Sequence, residues 1–360
     1  MDSQDVVAQN DLQSLYNNRN EHIKAVCQKN LTLEPYENLY QNRTHLVLDR
    51  YNLSFCKVPK CGSTLWVQIV SILRDGISNL ETLLNMNRLT LHRKTTHLKS
   101  LKKLRKYQLK YFIISRNPYS RLYSAFVDKS FLLFAKAANS GKYSRSQKMN
   151  CSLANQIYNE SFQQFLDRIF VEIRTGDSNH HWMPIFSLCN PCYTDIILHV
   201  KLEEFSRDMK YIYSRLGFSE EVQTHLKNLT TSKLASLTGI ASTVFYKGLQ
   251  WKKCRDNGTI AERLWISFQT QGYISEKSKF PRHLFDLYCK NNTVSSTEIF
   301  MKLVSTEMTL KSLSKGDADA QRRGAIVQAY RTLHPDTIAT IQQLFRMDFL
   351  MFNYSTTPPS

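Results

Sequence analysis

The sequence predicts an α/β fold: a three-layer sandwich with a mostly parallel central sheet and a P-loop-like phosphate-binding loop. Apolar segments near residues 55, 112 and 197 have the composition of buried strands, and segments with helical spacing alternate with them. This alternation is typical of a largely parallel sheet covered by helices. The 360 residues suffice for one large domain, or for one domain with an added lobe.

The first strand–helix junction lies in residues 54–70, SFCKVPKCGSTLWVQIV, where a strand is followed by a turn and by a helix that Ser63 and Thr64 open. First-turn amides lack intrahelical partners and the helix dipole adds positive charge, so such a turn can bind phosphate. Gly62 permits close approach of the backbone, and Lys60 adds a mobile charge. An ordinary strand–turn–helix corner would show the same pattern, and the motif G-x-x-x-x-G-K-[ST] of nucleoside triphosphatases is absent.

The second junction repeats this arrangement. A strand over residues 110–115 runs directly into Arg116, and a proline turn and a helix that contains Ser124 follow. Arg116 therefore lies at the carboxyl tip of a strand, where open α/β sheets bind ligands. A guanidinium group suits a phosphate monoester better than an ammonium group does. A surface arginine paired with a carboxylate would give the same local pattern.

The rest of the chain is predicted in less detail. Residues 1–50 are polar and predicted to be an irregular lead-in with a short element at Leu46–Asp49, and residues 51–354 are predicted to form the main domain. Within that domain, residues 228–336 match no recognised pattern and are predicted to be a divergent insertion or an acceptor-side region. Further elements are predicted as a helix over 162–171, a strand over 194–200, a helix that ends at Gly217, and one amphipathic element over 336–352.

Composition points to an anionic partner and to the secretory pathway. The net charge of +18 fits nucleic acid, a membrane surface or an acidic polysaccharide. Nine N-x-[ST] sequons exceed the roughly three or four expected by chance. Eight dispersed cysteines favour structural disulfides over zinc or redox catalysis, although the pairing stays open. The chain has no run of eighteen apolar residues and no signal-peptide core. Because the sequons and cysteines nevertheless indicate the secretory pathway, we expect a piece of a longer, anchored protein rather than a cytosolic one.

Several motifs together resemble one family. The chain is similar to the Golgi carbohydrate sulfotransferases of the chondroitin and dermatan 4-O-sulfotransferase group, in sulfotransferase family 2. The family pattern V-P-K-x-x-x-T-x-W is matched from Val58 to Trp66, and R-x-P-x-x-R-L-x-S-A-x-x-[DN]-K from Arg116 to Lys129. The further matches are the H-W-x-x-x-x-x-L-C-x-P-C block from His181 to Cys192, the K-x-E after the third strand, Lys201 to Glu203, and the ending D-F-L-M-F-N-Y, Asp348 to Tyr354. The resemblance covers about residues 50–225 and 336–354.

The resemblance implies a sulfotransferase fold, 3′-phosphoadenosine-5′-phosphosulfate (PAPS) as the sulfate donor, and no metal. It assigns Lys60 and His97 catalytic roles, with His97 as the base because it lies in a segment similar to the K-T-H-L of cytosolic sulfotransferases. A surface histidine in a basic run is the alternative for His97, and His92, His181 and Glu203 are the other candidates for the base. The residues expected to bind the donor are Pro59, Lys60, Cys61, Gly62, Ser63, Thr64 and Leu65 at the phosphosulfate, and Arg116 and Ser124 at the 3′-phosphate.

The function that follows is PAPS-dependent transfer of a sulfuryl group to a sugar hydroxyl of a glycosaminoglycan, with chondroitin or dermatan GalNAc 4-OH as the best guess. The expected acceptor is thus an anionic, chondroitin- or dermatan-like glycan. A nucleic-acid-binding protein is not expected, because it would leave the excess of sequons unexplained. Family members are membrane-anchored, so the expected location is the Golgi lumen, although this chain encodes no transmembrane segment. The alternative is a catalytically inactive glycan-binding protein, whereas a nucleotide kinase lacks its triphosphate motif.

Overall fold

A four-stranded sheet lies at the centre of the part of the chain that the structure describes. That part of the computed structural model comprises residues 3–29, 45–75, 86, 90–92, 109–132, 151, 158–176, 179–231, 233–248, 254–291 and 294–360. The strands are β1 (His45–Leu48), β2 (Leu53–Cys56), β3 (Lys110–Ser115) and β4 (Ile196–Lys201), in the order β1-β2-β3-β4. The predicted α/β class is confirmed.

The direction of the strands defines the edge of the sheet where the junctions meet. β1 and β2 pair antiparallel, whereas β2, β3 and β4 are parallel to one another. The carboxyl ends of the three parallel strands therefore share one edge. β3 has the predicted bounds, β2 ends at Cys56, and β4 is displaced by one to two residues from the predicted strand.

Helices make up most of the remaining described structure. They are α1 (Ser3–Lys29), α2 (Ser63–Asp75), α3 (Pro118–Ala125), α4 (Phe162–Arg174), α5 (Ile185–Cys189), α6 (Phe205–Arg215), α7 (Glu220–Thr231), α8 (Lys233–Gly248), α9 (Asn257–Thr270), α10 (Arg282–Asn291), α11 (Ser296–Leu310), α12 (Lys315–Arg331), α13 (Pro335–Leu344) and α14 (Arg346–Met351). α3 continues directly into a π-helical segment, Phe126–Leu132. Within the described ranges, none of these helices is both long and apolar enough to cross a membrane.

Aromatic packing fixes α2 against the sheet. The Trp66 ring lies 5.3 Å from the Phe55 ring and 4.8 Å from the Phe112 ring, and the two phenylalanines stack across β2 and β3 at 4.8 Å. All three side chains are almost completely buried. Offset and tilted aromatic pairs stabilise such a core beyond the area they bury. The start of α2 is thereby held next to the end of β2.

The prediction that residues 1–50 are irregular is wrong for Ser3–Lys29, which form α1. This helix packs on the edge strand β4: Tyr16 and Ile23 are buried, and Asn20 Nδ2 donates to the Ile197 carbonyl at 2.9 Å. The sequence hides the helix because its apolar positions are few among polar ones. β1 also lies before residue 51 and pairs with β2, while the proposed domain boundaries themselves stay a prediction.

The described residues of the region that the sequence left unassigned are mostly helical. Helices α8 to α11 enclose a second cluster of buried side chains that includes Leu237, Leu264, Phe285 and Phe300. The main core lies between the sheet and its surrounding helices. The predicted single element over residues 336–352 is instead two helices, α13 and α14, which meet at Phe345.

Three disulfides confirm the predicted structural role for six cysteines. The pairs join Cys27 to Cys192, Cys56 to Cys189, and Cys151 to Cys254. The closely spaced Cys189 and Cys192 are thus bonded to β2 and to α1, not to each other. Cys61 and Cys289 are free thiols.

Candidate active site

The loop between β2 and α2, residues 58–62, is the centre of the candidate site, and we call it the lysine loop. Two of its residues have left-handed backbone conformations, Lys60 with φ 68° and Gly62 with φ 71°. A Cβ atom on Gly62 would lie 3.2 Å from Leu202 Cδ1, so the left-handed conformation favours glycine and Leu202 leaves little room for a larger residue. The Cys61 amide donates to the Val58 carbonyl at 3.3 Å, which closes the turn.

The Lys60 side chain points to the segment that follows α3. Its Nζ donates to Asp128 Oδ2 at 3.0 Å, and the Lys129 ammonium lies 3.4 Å from the same oxygen. The Lys60 and Asp128 side chains are only 12% and 9% exposed. This ion pair is therefore screened less by water than a surface pair would be.

Two arginines from the β3–α3 junction hold the lysine loop through its carbonyl groups. Arg116 Nη1 donates to the Lys60 carbonyl at 3.0 Å, and Arg121 Nε donates to the Pro59 carbonyl at 3.1 Å. Arg121 also donates to the Met183 carbonyl at 2.5 Å and to the His180 carbonyl at 3.4 Å. Burial lowers the pKa of Arg121, although arginine stays charged near neutrality.

The first residues of α2 supply further anion-binding groups. Ser63, Thr64 and Leu65 form its first turn and are half-buried. Backbone N–H groups in a first helical turn have no intrahelical acceptor, and the helix dipole adds positive charge there. Ser124 lies in the last turn of α3 and is also half-buried. Burial raises the pKa of the Cys61 thiol to about 12, so this side chain stays protonated and cannot act as a thiolate nucleophile.

The candidate bases differ in their surroundings. His97 lies outside the described residues. His92 Nε2 lies 3.3 Å from Thr64 Oγ1, which places this ring beside the first turn of α2. His181 Nδ1 lies 2.5 Å from Asn179 Oδ1, and burial lowers the pKa of His181 well below 6.5, with the nearby Lys129 charge lowering it further. The low pKa keeps the His181 ring neutral near pH 7 and also makes it a weak proton acceptor, which counts against His181 as the base.

Glu203 has a positioning role in this structure. Its Oε1 accepts a hydrogen bond from the Asn117 amide at 2.9 Å, and its Oε2 accepts one from the Tyr354 hydroxyl at 3.0 Å. The Tyr354 hydroxyl also lies 3.0 Å from Ser115 Oγ, at the end of β3. Both carboxylate oxygens thus bridge the β3 tip and the C-terminal segment, which favours a structural role over proton abstraction.

Sequence reasoning gave no role to three charged residues of the site. They are Lys57, Arg121 and Asp128. Burial lowers the pKa of Lys57 to about 8, so this ammonium group titrates close to the physiological range. Asp128 and Arg121 fell within the matched motif R-x-P-x-x-R-L-x-S-A-x-x-[DN]-K, but only the fold shows which atoms they contact.

The arrangement is a compact cationic site at the carboxyl edge of the sheet. Ammonium and guanidinium groups from Lys60 and Arg116 lie with the start of α2 at the tips of two adjacent parallel strands. Donors preorganised in this way bind phosphate or sulfate groups and stabilise negative charge that develops on an oxygen.

Comparison with known proteins identifies the family. The model of the Sulfotransferase family matches residues 43–244, more than half of the chain. Carbohydrate sulfotransferase 14 of Danio rerio is 26% identical over 259 residues, which cover 64% of this chain and 67% of the relative. Carbohydrate sulfotransferase 10 of Homo sapiens is 29% identical over 231 residues, 58% of this chain and 63% of the relative. Carbohydrate sulfotransferase 11 of Mus musculus is 25% identical over 255 residues, 65% of this chain and 70% of the relative.

The matches cover only part of each relative. The chain spans about half to two thirds of the length of several curated relatives. No solved structure matches it at a significant level. The matched region contains the sheet, the lysine loop, Arg116 and Arg121. The chain therefore belongs to the sulfotransferase family, and the carbohydrate sulfotransferases are relatives to which it is similar, in agreement with its sequence motifs.

Proposed function

We propose that this protein transfers a sulfuryl group from PAPS to a hydroxyl group of a glycan. The observation that carries the proposal is the meeting of Lys60, the start of α2 and Arg116 at the tips of β2 and β3. This pairing of cationic side chains with free helix amides suits a donor that carries a phosphosulfate and a second phosphate. A P-loop-like loop in a three-layer sandwich is the fold we propose around it.

The donor site divides between the two strand–helix junctions. Pro59, Cys61 and Gly62 shape the lysine loop, and Ser63, Thr64 and Leu65 present backbone amides and hydroxyls to the phosphosulfate. Arg116 and Ser124 are proposed to bind the 3′-phosphate. The fit is supported by the left-handed glycine that shapes the loop and by the Lys60 and Arg116 cations that meet at it. No metal is part of the proposal.

Sulfuryl transfer joins the acceptor oxygen to sulfur, breaks the bond from sulfur to the 5′-phosphate oxygen, and gives the hydroxyl proton to a base. Lys60 would donate to that departing oxygen and stabilise its charge, which is the main catalytic contribution expected for a transfer of this type. The two junctions would fix the direction of attack. His97 remains the proposed base. His92, beside Thr64, and His181, near Lys129, are the alternatives among the described residues.

The acceptor and the compartment are the finer parts of the proposal. A net charge of +18 favours an anionic polymer, and we propose a chondroitin or dermatan chain sulfated at the GalNAc 4-OH. The names of the relatives say only that they are carbohydrate sulfotransferases. The three disulfides favour an oxidising compartment, which supports the Golgi lumen.

Transfer of radiolabelled sulfate tests the proposal. Desulfated chondroitin, dermatan and heparan chains would be incubated with labelled PAPS and wild-type protein, Lys60→Ala, Arg116→Ala or His97→Ala. Lys302→Ala and Arg331→Ala change exposed residues of α11 and α12 and serve as matched controls. We expect transfer to one polymer that the controls retain and the first two variants lose.

The His97→Ala variant tests the base separately, because near-normal turnover would move that role to His92 or His181. Absence of transfer to every acceptor, together with no PAPS binding by folded protein, would contradict the proposal. Salt-sensitive glycan binding without PAPS binding would instead support an inactive glycan-binding protein.

A further inference from the structure

Asp128 is the acidic partner of the lysine on which the proposed transfer depends. Its Oδ2 accepts a hydrogen bond from Lys60 Nζ at 3.0 Å and lies 3.4 Å from Lys129 Nζ. The Asp128 side chain is only 9% exposed, so little water reaches the carboxylate between these two ammonium groups. Removal of its charge would make the site more positive by one unit.

The segment that carries Asp128 is fixed from several directions. It is π-helical from Phe126 to Leu132, a geometry that occurs frequently at functional sites. Ser130 Oγ donates to Glu160 at 2.5 Å, and Arg263 Nε donates to the Phe131 carbonyl at 2.5 Å. These bonds anchor the segment just after Asp128, and the Lys60 side chain reaches the carboxylate from the lysine loop.

Electrostatics determines what this pair does when an anionic donor arrives. The Lys60 ammonium has three N–H donors, so it can keep Asp128 as a partner and still donate to the donor molecule. The carboxylate repels the phosphates of the donor, and this repulsion lowers the affinity of the site. The same carboxylate restricts where the ammonium group can lie, and this restriction favours the geometry needed for transfer.

We propose that Asp128 is a positioning residue that orients Lys60 for transfer at the expense of donor affinity. The inference rests on the proposed function, because it presumes that Lys60 acts on a phosphosulfate. It predicts opposite changes in binding and in rate for one substitution. If Asp128 had only a structural role, its substitution would lower donor affinity and transfer rate together, or would change neither.

The test combines calorimetric binding of 3′-phosphoadenosine-5′-phosphate (PAP), the desulfated product, with the single-turnover transfer rate at saturating PAPS. Asp128→Asn removes the charge while keeping the shape, and Asp167→Asn makes the same change on the exposed face of α4. We expect Asp128→Asn to bind PAP about three- to tenfold more tightly, as one charge at effective dielectric constants near 20 allows. We expect its single-turnover rate to fall by about tenfold or more, because a loosely oriented ammonium stabilises the departing oxygen poorly. Asp167→Asn should match the wild type in both.

Asp128→Glu provides a second test that keeps the charge. The longer side chain moves the carboxylate, so PAP affinity should stay close to that of the wild type while transfer slows. Unchanged or weaker PAP binding by folded Asp128→Asn, or wild-type transfer by Asp128→Glu, would overturn the inference. Failure of the wild type itself to bind PAP would overturn the proposed function and this inference with it.

Discussion

Gly62 shows how one residue determines the shape of the lysine loop. Its left-handed φ of 71° strains any residue with a side chain, and Leu202 Cδ1 lies 3.2 Å from the position that a Cβ atom would take. The sequence predicted a glycine that lets the backbone approach an anion. It did not predict that Lys60 would also be left-handed, because a single non-glycine residue adopts that conformation only when its neighbours impose it.

Gly62→Ala should therefore destabilise the loop and weaken donor binding. A left-handed alanine costs about 1–2 kcal/mol of folding free energy, before any shift of Leu202 is considered. Urea unfolding and calorimetric PAP binding would measure both effects. Gly324→Ala is the matched control, because Gly324 lies inside α12 with open space around its Cα. That control should gain about 0.5–1 kcal/mol of stability. Equal stability of Gly62→Ala and the wild type would contradict the geometry described for the loop.

Elements with strong local signals were predictable, and those that depend on distant contacts were not. β3 is an apolar run bounded by a lysine and by Arg116, and its predicted and observed bounds agree. α1 is mostly polar, and its burial comes from β4, almost 170 residues later, so local periodicity could not reveal it. In the same way, the sequence placed Lys60 and Arg116 at strand tips but could not pair Lys60 with Asp128, because that contact depends on the path of α3 and the π-helical segment.

Arg121 connects three elements and supports a second prediction. Its guanidinium group donates to carbonyls of the lysine loop and of the segment that leads into α5. Arg121→Lys keeps the charge but cannot reach all three carbonyls, so buried acceptors lose their donors. We expect a loss of about 2–3 kcal/mol in the free energy of unfolding, with weaker PAP binding.

Arg331→Lys, at the exposed end of α12, is the control for this substitution and should unfold like the wild type. Urea unfolding measures the free energy of unfolding, and titration calorimetry on the folded protein measures PAP binding. If Arg121→Lys were as stable as the wild type and bound PAP equally well, the guanidinium group would not be what holds the loop.

At the scale of the whole molecule, buried histidines give the fold a defined response to pH. Burial lowers the pKa of His45 to about 4, and it lowers the pKa values of His181 and His199 well below 6.5. The folded protein keeps these rings neutral, whereas the unfolded chain takes up protons near pH 6.5. Their contribution to stability is therefore complete above pH 6.5 and is lost as the pH falls towards the folded-state pKa.

His45 allows this response to be measured on one residue. Between pH 7 and pH 5 the wild type should lose about 2 kcal/mol more of its unfolding free energy than His45→Gln does, because the glutamine does not titrate. Urea unfolding at a series of pH values gives both slopes, and all other groups titrate alike in the two proteins. Parallel slopes would show that His45 is protonated equally in the folded and unfolded states.

The central claim is that the lysine loop and Arg116 form one donor site for a nucleotide with both a 5′- and a 3′-phosphate. Calorimetric comparison of PAP with adenosine 5′-monophosphate, in the wild type and in Arg116→Ala, tests this claim most directly. We predict that the wild type binds PAP at least about tenfold more tightly than the monophosphate, a difference of about 1.4 kcal/mol, and that Arg116→Ala abolishes the preference. Equal affinity of the wild type for the two nucleotides, or a preference that survives Arg116→Ala, would contradict it.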